Sequence, residues 1–315
     1  MRRMRRAPVI AALLAGANAC AGAQSASTAP SPAAPAVLAA RTDTTRLRRA
    51  LDSIATAHRG VVGYSVKNLE TGERLERRGD ETFPTASLIK VPVLVALFDL
   101  VEKNQIALTD RIVVNAIDKV PGSGTLQFMH DGIEITVRDA AWLMTAISDN
   151  TATNLLLDRV AIRRVWDKME ALGLPHSKVH SRSFQRFTSV AMDSSVKYGL
   201  GVTTPNEMAR LFELLALGRA VSPRADSAML VMLEQNQDGE SMQRFTNGAR
   251  AAHKTGATDQ VRTECTLYWL PARVVACVLS KENVDQRWIV DNEAQLTLGR
   301  MAEAIVGAWR REPAR

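Results

Sequence analysis

The pattern of apolar and polar positions divides the chain into sheet-forming ends and a helical middle. Apolar residues recur at helical spacing over Thr44–Ala57, which predicts an amphipathic helix. Two strand-like runs follow, at 61–66 and 73–77, and the turn residues between them predict a hairpin. From Ser87 onward the pattern is mostly helical, with predicted helices at 88–101, 137–147, 153–161, 163–172 and 205–217.

The C-terminal third returns to strand patterns, at about 249–257, 261–270 and 273–280, and a helix is predicted from about 285 to 309. We expect the strands of both chain ends to pair in one antiparallel sheet, with the helical block inserted between them. The predicted fold is therefore α/β, of the α+β type. N- and C-terminal helices flank the sheet, and the active site is expected in a cleft between the sheet and an all-helical subdomain.

The first 23 residues are typical of an export signal, with a basic start, a short apolar run and small residues at processing spacing. Two endings are open. Ala21-Gly22-Ala23 matches a cleavage signal and is favoured, whereas Cys20 would be the lipidated residue of a bacterial lipoprotein. Either ending predicts an exported protein, which is periplasmic, secreted or held at a membrane by a lipid anchor on Cys20.

Residues 24–40 are rich in Ala, Ser and Pro and predict a linker, so the folded domain is expected to span 41–315. The composition, 46% hydrophobic and 23% charged, is that of a globular protein and excludes a disordered or collagen-like chain. Four arginines of the predicted signal contribute to the net charge of +7, and without them only +3 remains. That balance gives no support for nucleic-acid binding. We expect a monomer without a transmembrane domain, metal or cofactor.

Two cysteines, Cys265 and Cys277, lie on the last two predicted strands, which the short link Pro271-Ala272 joins as a hairpin. The hairpin register places them opposite or nearly opposite each other. A cross-strand disulfide is one interpretation. The favoured interpretation is two small buried apolar residues on neighbouring strands.

Three short motifs carry candidate chemistry. In Ser87-Leu88-Ile89-Lys90, which enters an apolar helical run, the lysine amine can reach the serine hydroxyl because residues three apart share a helix face. A serine needs such an activator to act as a nucleophile. Ser194-Ser195-Val196-Lys197 has the same spacing but weak helical periodicity, and it is predicted to be a solvated loop.

The other two motifs are Ser148-Asp149-Asn150, after a predicted helix, and Lys254-Thr255-Gly256, at the end of a strand-like run. Alone, each would be explained by local structure, the first as a helix-to-helix loop and the second as a strand end with a turn glycine. The occurrence of all three motifs in this order is far rarer by chance than any one of them alone. The combination therefore indicates a catalytic site.

The motifs, their order and their spacings resemble those of the class A serine β-lactamases and the related penicillin-binding proteins. The resemblance covers nearly all of 41–315. It includes Gly122-Ser123-Gly124-Thr125-Leu126 and Thr203-Thr204-Pro205.

The resemblance implies a role for each motif residue. Ser87 would be the nucleophile, Lys90 its general base and Ser148 a proton shuttle to the leaving nitrogen. Asn150 would bind the substrate's side-chain amide. The Lys254-Thr255-Gly256 strand would hold the substrate carboxylate, with Arg262 as a weaker second contact. The backbone N–H groups of Ser87 and Ala257 would form the oxyanion hole. The substrate would be a small-molecule β-lactam or a peptidoglycan-stem-like peptide.

One departure from the family pattern concerns turnover. Class A β-lactamases carry a glutamate in the loop before the Thr-Thr-Pro helix, where it activates the water that releases the acyl-enzyme. Residues 171–206 contain no glutamate, and their only acid is Asp193, a weak candidate for the missing base beside His176 and His180. Three functions are therefore open: a β-lactamase, a D-alanyl-D-alanine peptidase or other acyl hydrolase with slow deacylation, and a non-enzymatic sensor of β-lactams or peptidoglycan.

Overall fold

The computed structural model describes residues 43–310, so the predicted signal (1–23), Cys20 and the predicted linker (24–40) lie outside the described residues. The helices are α1 (Thr44–Ala57), α2 (Lys90–Glu102), α3 (Val137–Ala146), α4 (Asn150–Val160), α5 (Ile162–Ala171), α6 (Met192–Tyr198), α7 (Pro205–Ala216), α8 (Pro223–Glu234) and α9 (Glu293–Arg310). The strands are β1 (Val61–Asn68), β2 (Arg74–Arg77), β3 (Phe83–Pro84), β4 (Arg111–Val114), β5 (Ile133–Thr136), β6 (Lys178–Val179), β7 (Gly201–Thr203), β8 (Ala251–Thr258), β9 (Val261–Trp269) and β10 (Arg273–Lys281).

The main sheet has five strands in the order β2-β1-β10-β9-β8. Its centre joins the two ends of the domain, because β1 pairs antiparallel with β10 and Val61 lies opposite Lys281. The helical block and two small sheets lie between β2 and β8 in the chain. This arrangement confirms the predicted fold class, an antiparallel sheet of both chain ends with an inserted helical subdomain.

Strand alternation in β10 divides the interior into two hydrophobic cores. Val274 and Val278 face the core formed with α1 and α9, whereas Val275 and Leu279 face the core formed with the helical block. All four side chains are fully buried, because successive residues of a central strand point to opposite, covered faces of its sheet. The helical block is therefore packed against one face of the sheet.

Two helix starts differ from the predicted ones by three residues or more. Helix α4 begins at Asn150 rather than Thr153, because the Asp149 side chain caps it and accepts the Ala152 N–H at 2.9 Å. Helix α9 begins at Glu293 rather than near 285. In the segment before it, the Asn292 side chain donates to the Asp285 carbonyl at 2.9 Å and stabilises a non-helical turn.

Two helices were not predicted. Helix α8 begins after Ser222, whose hydroxyl accepts the Ala225 N–H. The interpretation of residues 194–197 as a loop is wrong, because they form most of α6, which ends at Gly199 with φ +71°. Seven residues are too few to show a clear helical period.

Cys265 and Cys277 form a disulfide between β9 and β10, with their Cα atoms 4.1 Å apart. The favoured interpretation of two unlinked cysteines is therefore wrong. The register pairs the two residues directly, and both are fully buried, so the sulfurs face each other inside the helical-block core. Within residues 43–310, no helix is long and apolar enough to cross a membrane.

Candidate active site

A cleft of about 520 Å³ lies between strand β8 and the helical block, where the sequence predicted a site. Ser87 is half-buried in its wall, on a 3-10 turn (Ala86–Ile89) that leads directly into α2. Ala86, the residue before it, has φ +45°, a conformation that non-glycine residues rarely adopt. Such strain is often found at functional sites, where the surrounding fold holds it.

Lys90, the first residue of α2, is fully buried behind this wall. Its ammonium group donates to the Ser148 carbonyl at 2.6 Å, to Ser148 Oγ at 3.1 Å and to Asn150 Oδ1 at 2.8 Å. Across residues 43–310, these three oxygens are its side-chain hydrogen-bond acceptors, and Ser87 Oγ is not one of them. The first two motifs therefore meet through Lys90 and Ser148.

The surroundings of Lys90 favour the neutral amine. Burial lowers its pKa well below the usual value, the nearby charge of Lys254 lowers it further, and Asp149 opposes these effects. A neutral amine has a free electron pair, so Lys90 in this form can accept a proton.

Asp149 fixes the second motif in place. Its carboxylate caps α4 and also accepts the backbone N–H groups of Thr125 at 2.7 Å and Leu126 at 2.9 Å. Gly124 permits this close approach, because a Cβ there would lie 2.2 Å from the Asp149 side chain. Ser148 is left with φ +58° at the end of α3, and it lines the cleft.

Lys254 reaches the same serine from the opposite side. It lies within β8 rather than at a strand end, and it is fully buried. Its ammonium group donates to Ser148 Oγ at 3.1 Å and to the Thr255 carbonyl at 2.9 Å. Burial lowers the pKa of Lys254 to about 8. Ser148 Oγ is therefore hydrogen-bonded to the side-chain nitrogens of both lysines.

Gly256 brings strand β8 into contact with the turn that carries Ser87. A Cβ at this position would lie 2.3 Å from the Thr85 carbonyl oxygen and 2.8 Å from the Leu88 nitrogen. Ala257, the next residue, lines the cleft together with Ser87. The two residues expected to form an oxyanion hole thus line the same cleft.

Arg262 lies beside this cleft rather than in it. It lines a neighbouring groove of about 330 Å³, where its guanidinium stacks 4.7 Å from the Trp288 ring centre. Its donors bind backbone carbonyls, including those of Thr258 and Val261. Burial lowers its pKa. The structure therefore does not present Arg262 as a free carboxylate contact.

The loop between α5 and α7 brings no carboxylate into the cleft. Asp193 is exposed on α6 and does not line it. His176 binds Glu207 at 2.6 Å, and the buried His180 contacts the Gly199 carbonyl at 3.0 Å, where burial lowers its pKa. The loop residues that do line the cleft are Ser183, Phe184 and Leu200.

Asn154 holds this loop against the cleft, a contact that the sequence did not predict. Its side chain donates to the Ser183 carbonyl at 3.1 Å and accepts the Ser183 N–H at 2.8 Å. The Ser183 hydroxyl is buried without a hydrogen-bond partner in the described part of the chain. Asn154 follows Asn150 by one helical turn. That spacing is the only feature of the sequence that indicates a position for Asn154 near the cleft.

Asp238, which follows α8, is a second cleft residue that the sequence did not predict. It lines the cleft, and its carboxylate accepts the Thr255 hydroxyl at 2.8 Å. No motif marks its position, because the contact depends on how the segment after α8 folds back toward β8.

A family model described as "Beta-lactamase enzyme family" matches residues 46–309. The chain belongs to this family. Beta-lactamase L2 of Stenotrophomonas maltophilia is 26% identical over 288 residues, which cover 89% of this chain and 90% of the relative.

Solved structures of β-lactamase-type proteins have the same fold. A β-lactamase from Sphaerobacter thermophilus is 32% identical with a TM-score of 0.76, over 86% of this chain and all of that one. PBP-A is 25% identical with a TM-score of 0.73, over 84% of this chain and 96% of PBP-A.

Membership of the β-lactamase family identifies the chain as a hydrolytic enzyme of the β-lactam-hydrolysing kind. Within residues 43–310, no group of three His, Cys, Asp or Glu side chains is arranged to hold a metal ion.

Proposed function

We propose that this member of the β-lactamase family opens β-lactam amides through an acyl-enzyme on Ser87 and releases the product slowly. The observation that carries the proposal is the connection of the three motifs by Lys90, Ser148 and Lys254 next to Ser87. The predicted signal supports action outside the cytoplasm, with Cys20 either removed or lipidated.

Acylation would begin when Ser87 Oγ attacks the β-lactam carbonyl carbon. Neutral Lys90, three residues further on, would take the hydroxyl proton, because burial favours its unprotonated form. The amide C–N bond would then break, and Ser148 would pass a proton from Lys90 to the leaving nitrogen. The N–H groups of Ser87 and Ala257 would stabilise the oxyanion.

The remaining motif residues would bind the substrate. Asn150 lines the cleft and would contact the side-chain amide. Lys254 and Thr255 would hold the carboxylate, and Gly256 lets them approach Ser87. Arg262 would assist only after releasing the backbone carbonyls that it now binds.

Slow release is proposed because no titratable side chain of the loop lines the cleft. General-base assistance to the attacking water is typically worth about 10² to 10⁴ in rate. Asp193 could supply such a base only if α6 moved toward the cleft. A cell-wall D-alanyl-D-alanine peptidase with the same acylation machinery is the second candidate, and the same observation favours it.

The test is intact mass spectrometry of the protein mixed with benzylpenicillin and followed in time. We expect an adduct of one penicillin that forms rapidly and decays slowly, and no adduct with Ser87→Ala, because the attacking oxygen is absent. Ser194→Ala, at the second Ser-x-x-Lys sequence, is the matched control and should behave as wild type.

An adduct that persists in Ser87→Ala would refute the proposed nucleophile. Release of D-alanine from a peptide ending in D-Ala-D-Ala, faster than penicillin turnover, would favour the peptidase. Rapid consumption of penicillin without accumulation of an adduct would contradict slow release.

A further inference from the structure

The side chain of Asp238 places one of the protein's own carboxylates in the part of the cleft where a substrate carboxylate is expected. Its Oδ2 accepts the Thr255 hydroxyl at 2.8 Å, and Thr255 is one of the two residues proposed to hold the substrate carboxylate. Asp238 lines the same cleft as Ser87. The hydroxyl hydrogen of Thr255 can be donated to only one acceptor at a time.

The segment that carries Asp238 is fixed to the helical block. The Gln237 N–H donates to the Ala146 carbonyl at 2.9 Å, and the Asn236 side chain donates to the Thr145 carbonyl at 3.1 Å. The Asn236 side chain also accepts the Asp238 N–H at 2.9 Å. These contacts tie the segment to the end of α3, so the position of Asp238 is set by the fold around the cleft.

Asp238 also changes the electrostatics of this end of the cleft. Its negative charge raises the pKa of Lys254 and that of Arg262, in both cases against the larger effect of burial. It therefore offsets part of the positive charge that would attract an anionic substrate. An arriving carboxylate would meet repulsion as well as an occupied donor.

We propose that Asp238 is a specificity-determining residue that disfavours substrates bearing a carboxylate at this position relative to neutral ones. The inference rests on the proposed function, because it assumes that substrates acylate Ser87. It predicts that the enzyme with Asp238 favours neutral esters and amides over carboxylate-bearing substrates more strongly than a site with Lys254 and Thr255 but without Asp238.

The experiment compares benzylpenicillin with its methyl ester, two probes that differ only in the carboxylate. The acylation rate constant of each is measured by intact mass spectrometry for wild type, Asp238→Asn and Asp238→Ala. The Asn variant removes the charge, and the Ala variant also frees the Thr255 hydroxyl. Glu240→Gln is the matched control, since Glu240 is an exposed acid two residues away whose carboxylate forms no hydrogen bond within residues 43–310, whereas that of Asp238 accepts the Thr255 hydroxyl.

We expect Asp238→Ala to accelerate acylation by benzylpenicillin about tenfold, the lower end of the range for a charge-assisted hydrogen bond because the site is open to screening. Asp238→Asn should accelerate it less. The methyl ester should react within about twofold of wild type in all variants. Glu240→Gln should leave the ratio between the two probes unchanged.

The inference is overturned if both probes change equally, if benzylpenicillin reacts more slowly with either Asp238 variant, or if Glu240→Gln gives the same ratio as Asp238→Asn. If neither probe acylates the wild-type protein, the proposed function itself is refuted, and this inference with it. Thermal unfolding of each variant separates these results from a loss of folding.

Discussion

At the scale of single residues, the central feature is one hydroxyl bonded to two lysines. Ser148 Oγ lies 3.1 Å from both Lys90 Nζ and Lys254 Nζ. Two buried ammonium groups this close repel each other, so the arrangement favours the loss of a proton. Burial and this repulsion lower the pKa of Lys90 well below its usual value, and burial lowers that of Lys254 to about 8. The charge of Lys254 therefore favours loss of a proton from Lys90.

These pKa shifts predict a pH profile that depends on the substrate. Acylation by benzylpenicillin should rise as Lys90 loses its proton and fall above pH about 8, where Lys254 loses the charge that attracts the carboxylate. Acylation by the methyl ester should show the rise without that fall. Lys254→Ala should slow benzylpenicillin by about 10- to 100-fold, as for the loss of a charge-assisted hydrogen bond, and remove the alkaline fall.

The measurement is the acylation rate constant of both probes between pH 5 and 10. The two alkaline limbs are the decisive comparison. If both probes lose rate above pH about 8, Lys254 acts on the serine and lysine network rather than on the substrate carboxylate.

At the scale of elements, the loop between α5 and α7 determines what can reach the acyl-enzyme. The Asn154 side chain binds the backbone N–H and carbonyl of Ser183, so a substitution at residue 183 leaves both tethering hydrogen bonds available. Ser183 is one of the loop residues that line the cleft, whereas Asp193 is exposed elsewhere on α6. We therefore choose residue 183 as a position from which a loop carboxylate would act on the acyl-enzyme.

Ser183→Glu should shorten the lifetime of the penicillin adduct by about 10²-fold or more, because it adds a general base within the cleft. Ser183→Gln is the control, since it adds the same bulk without a base and should leave the lifetime long. Asp193→Asn should leave both formation and decay of the adduct unchanged. The lifetimes are read from the decay of the adduct mass after excess penicillin is removed.

Slower decay in Asp193→Asn would show that α6 approaches the cleft during turnover. Equal lifetimes for the Glu and Gln variants would show that residue 183 cannot activate water.

At the scale of the whole molecule, the site exists only where the sheet and the helical block touch. Gly256 permits this contact, since any Cβ there would lie 2.3 Å from the Thr85 carbonyl oxygen. Gly256→Ala must therefore push β8 away from the turn that carries Ser87.

We expect Gly256→Ala to reduce acylation by at least 100-fold and to lower the free energy of unfolding by about 1 to 3 kcal/mol, as for other overpacked sites. Gly307→Ala, in α9, is the matched control, because its Cβ would meet no atom within 4 Å. That change should be neutral or slightly stabilising, since alanine favours helix more than glycine. Denaturant unfolding and adduct formation measure the two effects, and wild-type acylation in Gly256→Ala would contradict this role of the glycine.

The sequence predicted the elements with long, regular patterns and the residues that belong to motifs. The hairpin register placed Cys265 opposite Cys277, but the pattern did not distinguish a disulfide from two packed thiols. Helix α6 is too short to show a period, and α8 lies in a stretch that the pattern did not resolve. Ser183 and Asp238 could not be predicted, because each enters the cleft through hydrogen bonds to residues far away in the chain.

The pairing of β1 with β10 also has a consequence for the order of events during synthesis. Val61 pairs with Lys281, so the first strand has no partner on that side until nearly the whole chain has been made. At about 5 to 20 residues per second, this interval lasts about 10 to 40 s. Such long-range pairing is slow to form, and a nascent chain can acquire helices α2 to α5 well before its sheet closes. A product that stops before β8 would contain Ser87, Lys90 and Ser148 and yet have no second wall for the cleft, so truncated chains should be inactive.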